Sequence, residues 1–138
     1  QPAEAILREI GEPRLRGMLR LAGYIPNSDL PAIYNRASAF LYTSLRESFG
    51  IPQLEAMACG TPVVTSATSA IPEVAGEGAI LVDPTDPKAI ADALLRLETD
   101  AAFRARQVAY GLERVKRFSW EKTARHLLAL YESLGKTN

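Results

Sequence analysis

Four short apolar runs, each followed by a stretch with helical periodicity, constrain this chain more than any other feature. The runs are residues 19–25 (LRLAGYI), 39–43 (AFLYT), 62–65 (PVVT) and 79–82. Strands lose their polar alternation when helices cover both faces of a sheet, which is the condition of parallel pairing. Residues 29–37 form one helical pattern, with Leu30, Ile33, Tyr34 and Ala37 on the inward face after the turn residues Asn27 and Ser28. A second begins at Ile51-Pro52 and stops at Cys59, with proline at its start and Gly60 just past its end. A third follows the turn Asp83-Pro84-Thr85-Asp86-Pro87 and directs Ile90, Ala93, Leu94 and Leu97 inward. Asp100 is placed to cap another helix running to about Lys116, and Ser119 a last one. That last helix carries Trp120, Ala124, Leu127, Tyr131 and Leu134 in alternating steps of four and three. Residues 2–10 read as a short helix ending at Gly11, and residues 71–75 as a single helical turn. The expected fold is α/β: a Rossmann-like parallel sheet with helices on both faces.

Composition narrows the function classes. A chain of 138 residues is one domain or part of one, and 47% hydrophobic with 23% charged residues is ordinary for a globular protein. No apolar run nears the roughly 20 residues that span a bilayer. Cys59 is the only cysteine and His126 the only histidine, so an intrachain disulfide and a clustered metal site are both excluded. A cytoplasmic setting is expected. Residues 1–100 hold 8 Lys/Arg against 13 Asp/Glu, whereas residues 101–138 hold 8 against 3. The basic tail interleaves with apolar helix positions and lacks the dense basic face of a nucleic-acid binder. It reads as a solvated helix face, with a weak attraction to anionic membrane surface as the alternative. With Gln1 in place of Met, the chain is expected to be a piece of something longer.

In open parallel sheets, ligands bind beyond the carboxyl ends of the strands. The second run and the helix after it make such a place, joined by Ser44-Leu45-Arg46-Glu47-Ser48-Phe49-Gly50-Ile51-Pro52. Gly50 permits close backbone approach, and the first amides of the helix, at Phe49, Gly50 and Ile51, point outward as an anion site. Such a turn is also common with nothing in it. Glu47 and Glu55 bracket it, but Glu4/Glu12 and Glu113/Glu121 share their spacing, so position rather than separation singles them out. Carboxylates accept hydrogen bonds from sugar hydroxyls, and helix amides neutralise phosphate oxygens.

These residues have a known counterpart. The stretch Gly23-Tyr24-Ile25-Pro26-Asn27-Ser28-Asp29-Leu30-Pro31-Ala32-Ile33-Tyr34 resembles the C-terminal domain of family 4 retaining glycosyltransferases, which have the GT-B fold. Residues 47–64, ESFGIPQLEAMACGTPVV, resemble it with high specificity, and residues 71–75, 81–84 and 118–120 continue the match over nearly the whole chain. The resemblance implies a nucleotide-diphosphate-sugar site that needs no metal or other cofactor. Glu55 would bind the ribose hydroxyls, and Glu47, the catalytic candidate, would face hydroxyls of the donor sugar. Amides of Ser48, Phe49, Gly50 and Ile51 would contact the sugar and distal phosphate, with Tyr24 and Ile25 against the base. The reaction implied is sugar transfer to an acceptor with retention at the anomeric carbon.

The chain departs from the family pattern in two places. It lacks the Arg and Lys that follow the family's first strand, and the catalytic half that precedes this domain. It is therefore expected to be a GT-B C-terminal domain missing its first two strands, inactive alone, with residues 119–134 as the helix that crosses to the absent N-terminal domain. Loss of central strands leaves an open edge beside the second run. That edge predicts either a strand-swapped homodimer or direct re-pairing of residues 19–25 with residues 39–43. A non-catalytic module that pairs with a partner chain is the alternative function. Ser69-Ala70 stands where relatives often have glycines. A dinucleotide binder is disfavoured, since no G-x-G-x-x-G follows a strand.

Overall fold

The computed structural model describes Arg8 and residues 17–135. Its described elements run in the order α1 (Leu30–Arg36), β1 (Phe40–Tyr42), α2 (Ile51–Ala58), β2 (Val63–Ser66), α3 (Ile71–Ala75), a 3-10 turn (Gly76–Gly78), β3 (Ile80–Val82), α4 (Pro87–Thr99), α5 (Ala101–Val115) and α6 (Trp120–Gly135). The three strands are parallel in the order β1-β2-β3, with Leu41 opposite Val64 and Thr65 opposite Leu81. Helices lie on both faces, as a parallel sheet with short crossovers requires.

The alternation of side chains along β2 divides the core in two. Val63 packs on one face with Tyr34 of α1, Ala56 and Met57 of α2, and Ile71 and Ala75 of α3. Val64 packs on the other with Val82, Ala93 and Leu97 of α4, and Phe103 of α5. All four residues of β2 are buried, which accounts for its unbroken apolar start. Helix α5 spans the two halves, with Phe103 in one cluster and Val115 against the other. Gly111 allows this crossing, because a Cβ there would lie 3.1 Å from Met57 Cγ and 3.4 Å from the Gly78 carbonyl.

The capping residues act as their chemistry predicts. Asp100 accepts from Phe103 N at 2.8 Å, and Ser119 Oγ from Lys122 N at 3.1 Å. Asp86 caps α4 by accepting from Lys88 N and Ala89 N. At α1 the cap position is Asp29, and its side chain makes no capping bond.

Two expectations fail among the described residues, and one falls outside them. Residues 19–25 form no strand; Leu21 and Tyr24 stand exposed and the segment pairs with nothing. A strand needs a neighbour to bond to, and no strand among the described residues lies alongside this segment. Direct re-pairing with β1 is thereby overturned: among the described residues β1 bonds only to β2 and is the sheet's edge. No residue of α6 is buried, so its apolar stripe is an uncovered face among the described residues. The helix expected over residues 2–10 lies outside the described residues apart from Arg8, which is helical. No helix among the described residues is long and apolar enough to cross a membrane.

Candidate functional site

The site grows from the carboxyl end of β1. The chain leaves Tyr42, runs through residues 43–50 and enters α2 at Ile51. Gly50 makes the entry possible. Its backbone is left-handed, at φ 84° and ψ 55°, and it is buried under the loop. A Cβ there would lie 2.9 Å from Gln53 Nε2 and 3.5 Å from the Tyr42 ring. Pro52 in the first turn fixes the helical backbone and removes one amide. The N–H groups of Ser48, Phe49, Gly50 and Ile51 find no acceptor among the described residues. Four consecutive unpaired donors at a helix start carry a local positive potential.

The two carboxylates flank this turn, and each is held by a tyrosine. Tyr42 donates its phenol to Glu47 Oε1, and Tyr34 donates to Glu55 Oε2 at 3.3 Å. The tyrosines are joined through Phe40, whose ring meets Tyr34 edge-on at 5.2 Å and stacks with Tyr42 at 5.9 Å. Phe40 and Tyr42 are two apart on β1 and so project to the same face. A row of three rings thus ties Glu47, on the loop, to Glu55, inside α2. Burial, then the hydrogen bond and charge of Glu47, push the Tyr42 phenol up to about 12. Burial, then the charge and hydrogen bond of Glu55, raise Tyr34 also. Both remain donors at neutral pH.

Below the turn, Gln53 is fully buried. Its Nε2 donates to the Phe49 carbonyl at 3.3 Å, while its Oε1 has no partner. Beside the turn, a cavity of about 530 Å³ opens between Phe49, Ile51 and Leu54 on one wall and Phe118, Trp120 and His126 on the other. Phe49 meets Phe118 edge-on at 5.6 Å, and the Arg114 guanidinium lies over Phe118 at 5.2 Å. No group of three or more metal-ligating side chains occurs among the described residues.

The structure therefore assembles Glu47, Ser48, Phe49, Gly50, Ile51 and Glu55 at one place. Tyr24 and Ile25 precede the turn into α1; Tyr24 is 89% exposed, and no hydrogen bond or ring contact joins either residue to the carboxylates or the turn. Sequence reasoning missed Tyr42, noted Ser69 only as standing where relatives often have glycines, and took Tyr34 for a core residue only. Nothing in the local pattern marks Tyr42, since a strand tyrosine facing a helix looks like packing. Glu73 sits exposed in the first turn of α3, with its carbonyl bonded by Arg114. Cys59 is half-buried.

The model of the family described as "Glycosyl transferases group 1" matches residues 4–114. The chain belongs to this family. Among curated members, it is 42% identical over 118 residues to O-antigen chain mannosyltransferase B of Escherichia coli, covering 86% of this chain and 31% of that protein. It is 38% identical over 133 residues to D-inositol 3-phosphate glycosyltransferase of Corynebacterium urealyticum, covering 95% and 31%. This group 1 glycosyl transferase chain thus spans about a third of the length of those relatives. Among solved structures, sucrose-phosphate synthase from Thermosynechococcus elongatus superposes with a TM-score of 0.87 at 32% identity, over 99% of this chain and 35% of that one. Anabaena Alr3699/HepE, solved in complex with UDP and glucose, superposes at 0.86 and 21% identity, over 95% and 36%. These neighbours establish the GT-B-like Rossmann fold of the chain.

Proposed function

We propose that this chain is the donor-binding part of a family 4 retaining glycosyltransferase, a truncated GT-B C-terminal domain that binds a nucleotide-diphosphate sugar. The observation that carries the reading is the turn itself: four unpaired amides at a helix start, flanked by two carboxylates that are each anchored by a phenol. Glu55 takes the ribose hydroxyls and Glu47 those of the donor sugar, since an ionised carboxylate is an acceptor only and sugars offer donors. The amides of Ser48, Phe49, Gly50 and Ile51 take the sugar and distal phosphate, with Tyr24 and Ile25 closing on the base. The HepE structures with UDP and UDP-glucose support this class of ligand.

Transfer follows from placement. The donor lies in a cleft between this domain and a catalytic half, α6 crosses to that half, and stabilisation of the departing diphosphate lowers the barrier. No metal is needed where amides and cations meet the phosphate charge. The cytoplasm is the setting in this reading, and the chain alone is inactive, because the acceptor site and phosphate cations lie elsewhere. Titration of nucleotide sugars against the full-length protein and its Glu55→Ala variant tests it. Affinity should fall in the variant; equal affinity removes the ribose assignment.

The open outer edge of β1, with Leu41 exposed, favours one second reading: a non-catalytic module that pairs with a partner chain or swaps strands into a homodimer. Recovery of sugar transfer on mixing the chain with the remaining segment would decide for the enzyme.

A further inference from the structure

Four hydroxyls on β2 and the loop after it donate, one after another, to carbonyls of the segment that leads to Glu47. Thr65 Oγ1 donates to Tyr42 O at 2.8 Å and Ser66 Oγ to Ser44 O at 2.6 Å. Thr68 Oγ1 donates to Leu45 O at 3.4 Å and Ser69 Oγ to Glu47 O at 2.6 Å. The main-chain register between β1 and β2 ends at Tyr42 opposite Thr65. The hydroxyls therefore prolong the pairing past the end of the sheet, with side-chain donors where the ladder has stopped.

Ser69 is the last of the four and differs from the others. Its oxygen also accepts from Glu47 N at 3.3 Å, so one hydroxyl holds both main-chain groups of one residue. A hydroxyl has one proton to give and lone pairs to receive with, so both bonds can stand together. Ser69 is also the one non-glycine residue with positive φ, at 60°, among the described residues. A side chain in left-handed backbone costs free energy that glycine avoids. Backbone and hydroxyl thus make opposite demands here: glycine suits the angle, and only a hydroxyl makes the two bonds.

We propose that Ser69 is a positioning residue, which fixes the main chain of Glu47 so that its carboxylate meets the donor sugar at a set place. The clamp stands on geometry alone, whereas its consequence for the sugar rests on the donor-site reading above. Tyr42 fixes the carboxylate end of the same residue, so Glu47 is held at both its backbone and its tip.

The test compares Ser69→Gly and Ser69→Ala in the full-length protein, by thermal denaturation, amide hydrogen exchange, and titration with UDP and UDP-glucose. In Ser69→Gly the angle becomes free, so Tm should hold or rise while exchange at Glu47 quickens. UDP-glucose affinity should fall about three- to tenfold, the size of one lost hydrogen bond, with UDP affinity unchanged. Ser69→Ala keeps the unfavourable angle and loses the hydroxyl, so its Tm should fall as well. Unchanged exchange at Glu47 in Ser69→Gly overturns the clamp. Faster exchange with both affinities unchanged overturns the positioning role. Should the unaltered protein bind neither UDP and UDP-glucose nor other nucleoside diphosphates and nucleotide sugars titrated in their place, the donor reading fails and the positioning role with it, while exchange still decides the clamp.

Discussion

Tyr42, at the end of β1, reaches along its own loop to donate a hydrogen bond to the carboxylate of Glu47, five residues on. The contact turns a strand side chain into part of the site. It also gives the loop a fixed point between the sheet and the start of α2, where the backbone has no ladder to hold it.

Tyr42→Phe should therefore cost about 1.5–3 kcal/mol of stability, the range for hydrogen bonds to charged groups, measured by urea denaturation. It also predicts a pH dependence. The phenol titrates at its ordinary 10.0 in the unfolded chain and at about 12 when folded. Its contribution is then whole below pH 10 and is lost as pH climbs towards 12, because the unfolded state gives up its proton first. Tyr34 is shifted in the same direction. Removing the Tyr42 hydroxyl should flatten part of the alkaline decline; an identical slope in the variant would remove the proposed bond.

Gly50→Ala should destabilise the protein by about 1–2 kcal/mol from the left-handed backbone alone. A further cost arises because the new methyl group meets Gln53 Nε2 at 2.9 Å. Gln53 is fully buried and holds the Phe49 carbonyl, so displacing it disturbs the turn from beneath. Gly50→Asn, a residue that tolerates this backbone better, should show the same clash with less strain. Denaturation midpoints check both; an unaltered midpoint in Gly50→Ala would show that the turn adopts some other backbone.

The sequence disclosed most of what depends on near neighbours. Asp100 and Ser119 cap the helices that their chemistry predicts, and β2 reads as buried because both faces of it are. The turn at Gly50 and its flanking acids were legible for the same reason. Residues 19–25 misled because an apolar run becomes a strand only when another strand lies beside it, and nothing local encodes that partner. The stripe on α6 shows a different limit: its periodicity marks a face built to be covered, yet cannot say whether the cover lies within these residues. Tyr42 escaped notice, and Ser69 drew notice only for standing in place of a glycine, because their roles depend on where a loop folds back.

Met57→Ala should cost about 2–5 kcal/mol. Met57 is 1% exposed and packs where α2, α5 and the sheet meet, with Gly111 lying against its side chain. Typical domains have only about 5–15 kcal/mol in total, so the variant should sit close to unfolding at 37 °C. Urea denaturation reads it directly; a loss under 1 kcal/mol would mean that α5 closes onto the vacated space.

Arg114 joins parts of the fold that are distant in sequence. Its Nε donates to the Val74 carbonyl at 2.9 Å and its Nη2 to that of Glu73. The same guanidinium lies over Phe118, which in turn meets Phe49 beside the turn. Gly78 leaves room for it, since a Cβ there would come within 2.9 Å of Arg114 Cβ. Lysine has no planar fork, so it cannot bond two carbonyls and stack on a ring at once. Arg114→Lys should consequently lose nearly as much stability as Arg114→Met, about 1.5–3 kcal/mol, although it keeps the charge. If charge alone mattered, the lysine variant would match the unaltered protein in Tm. Nuclear magnetic resonance of the Phe49 and Phe118 ring protons gives a second check: both variants should shift them, because the ring pair loses the group that pins it from behind.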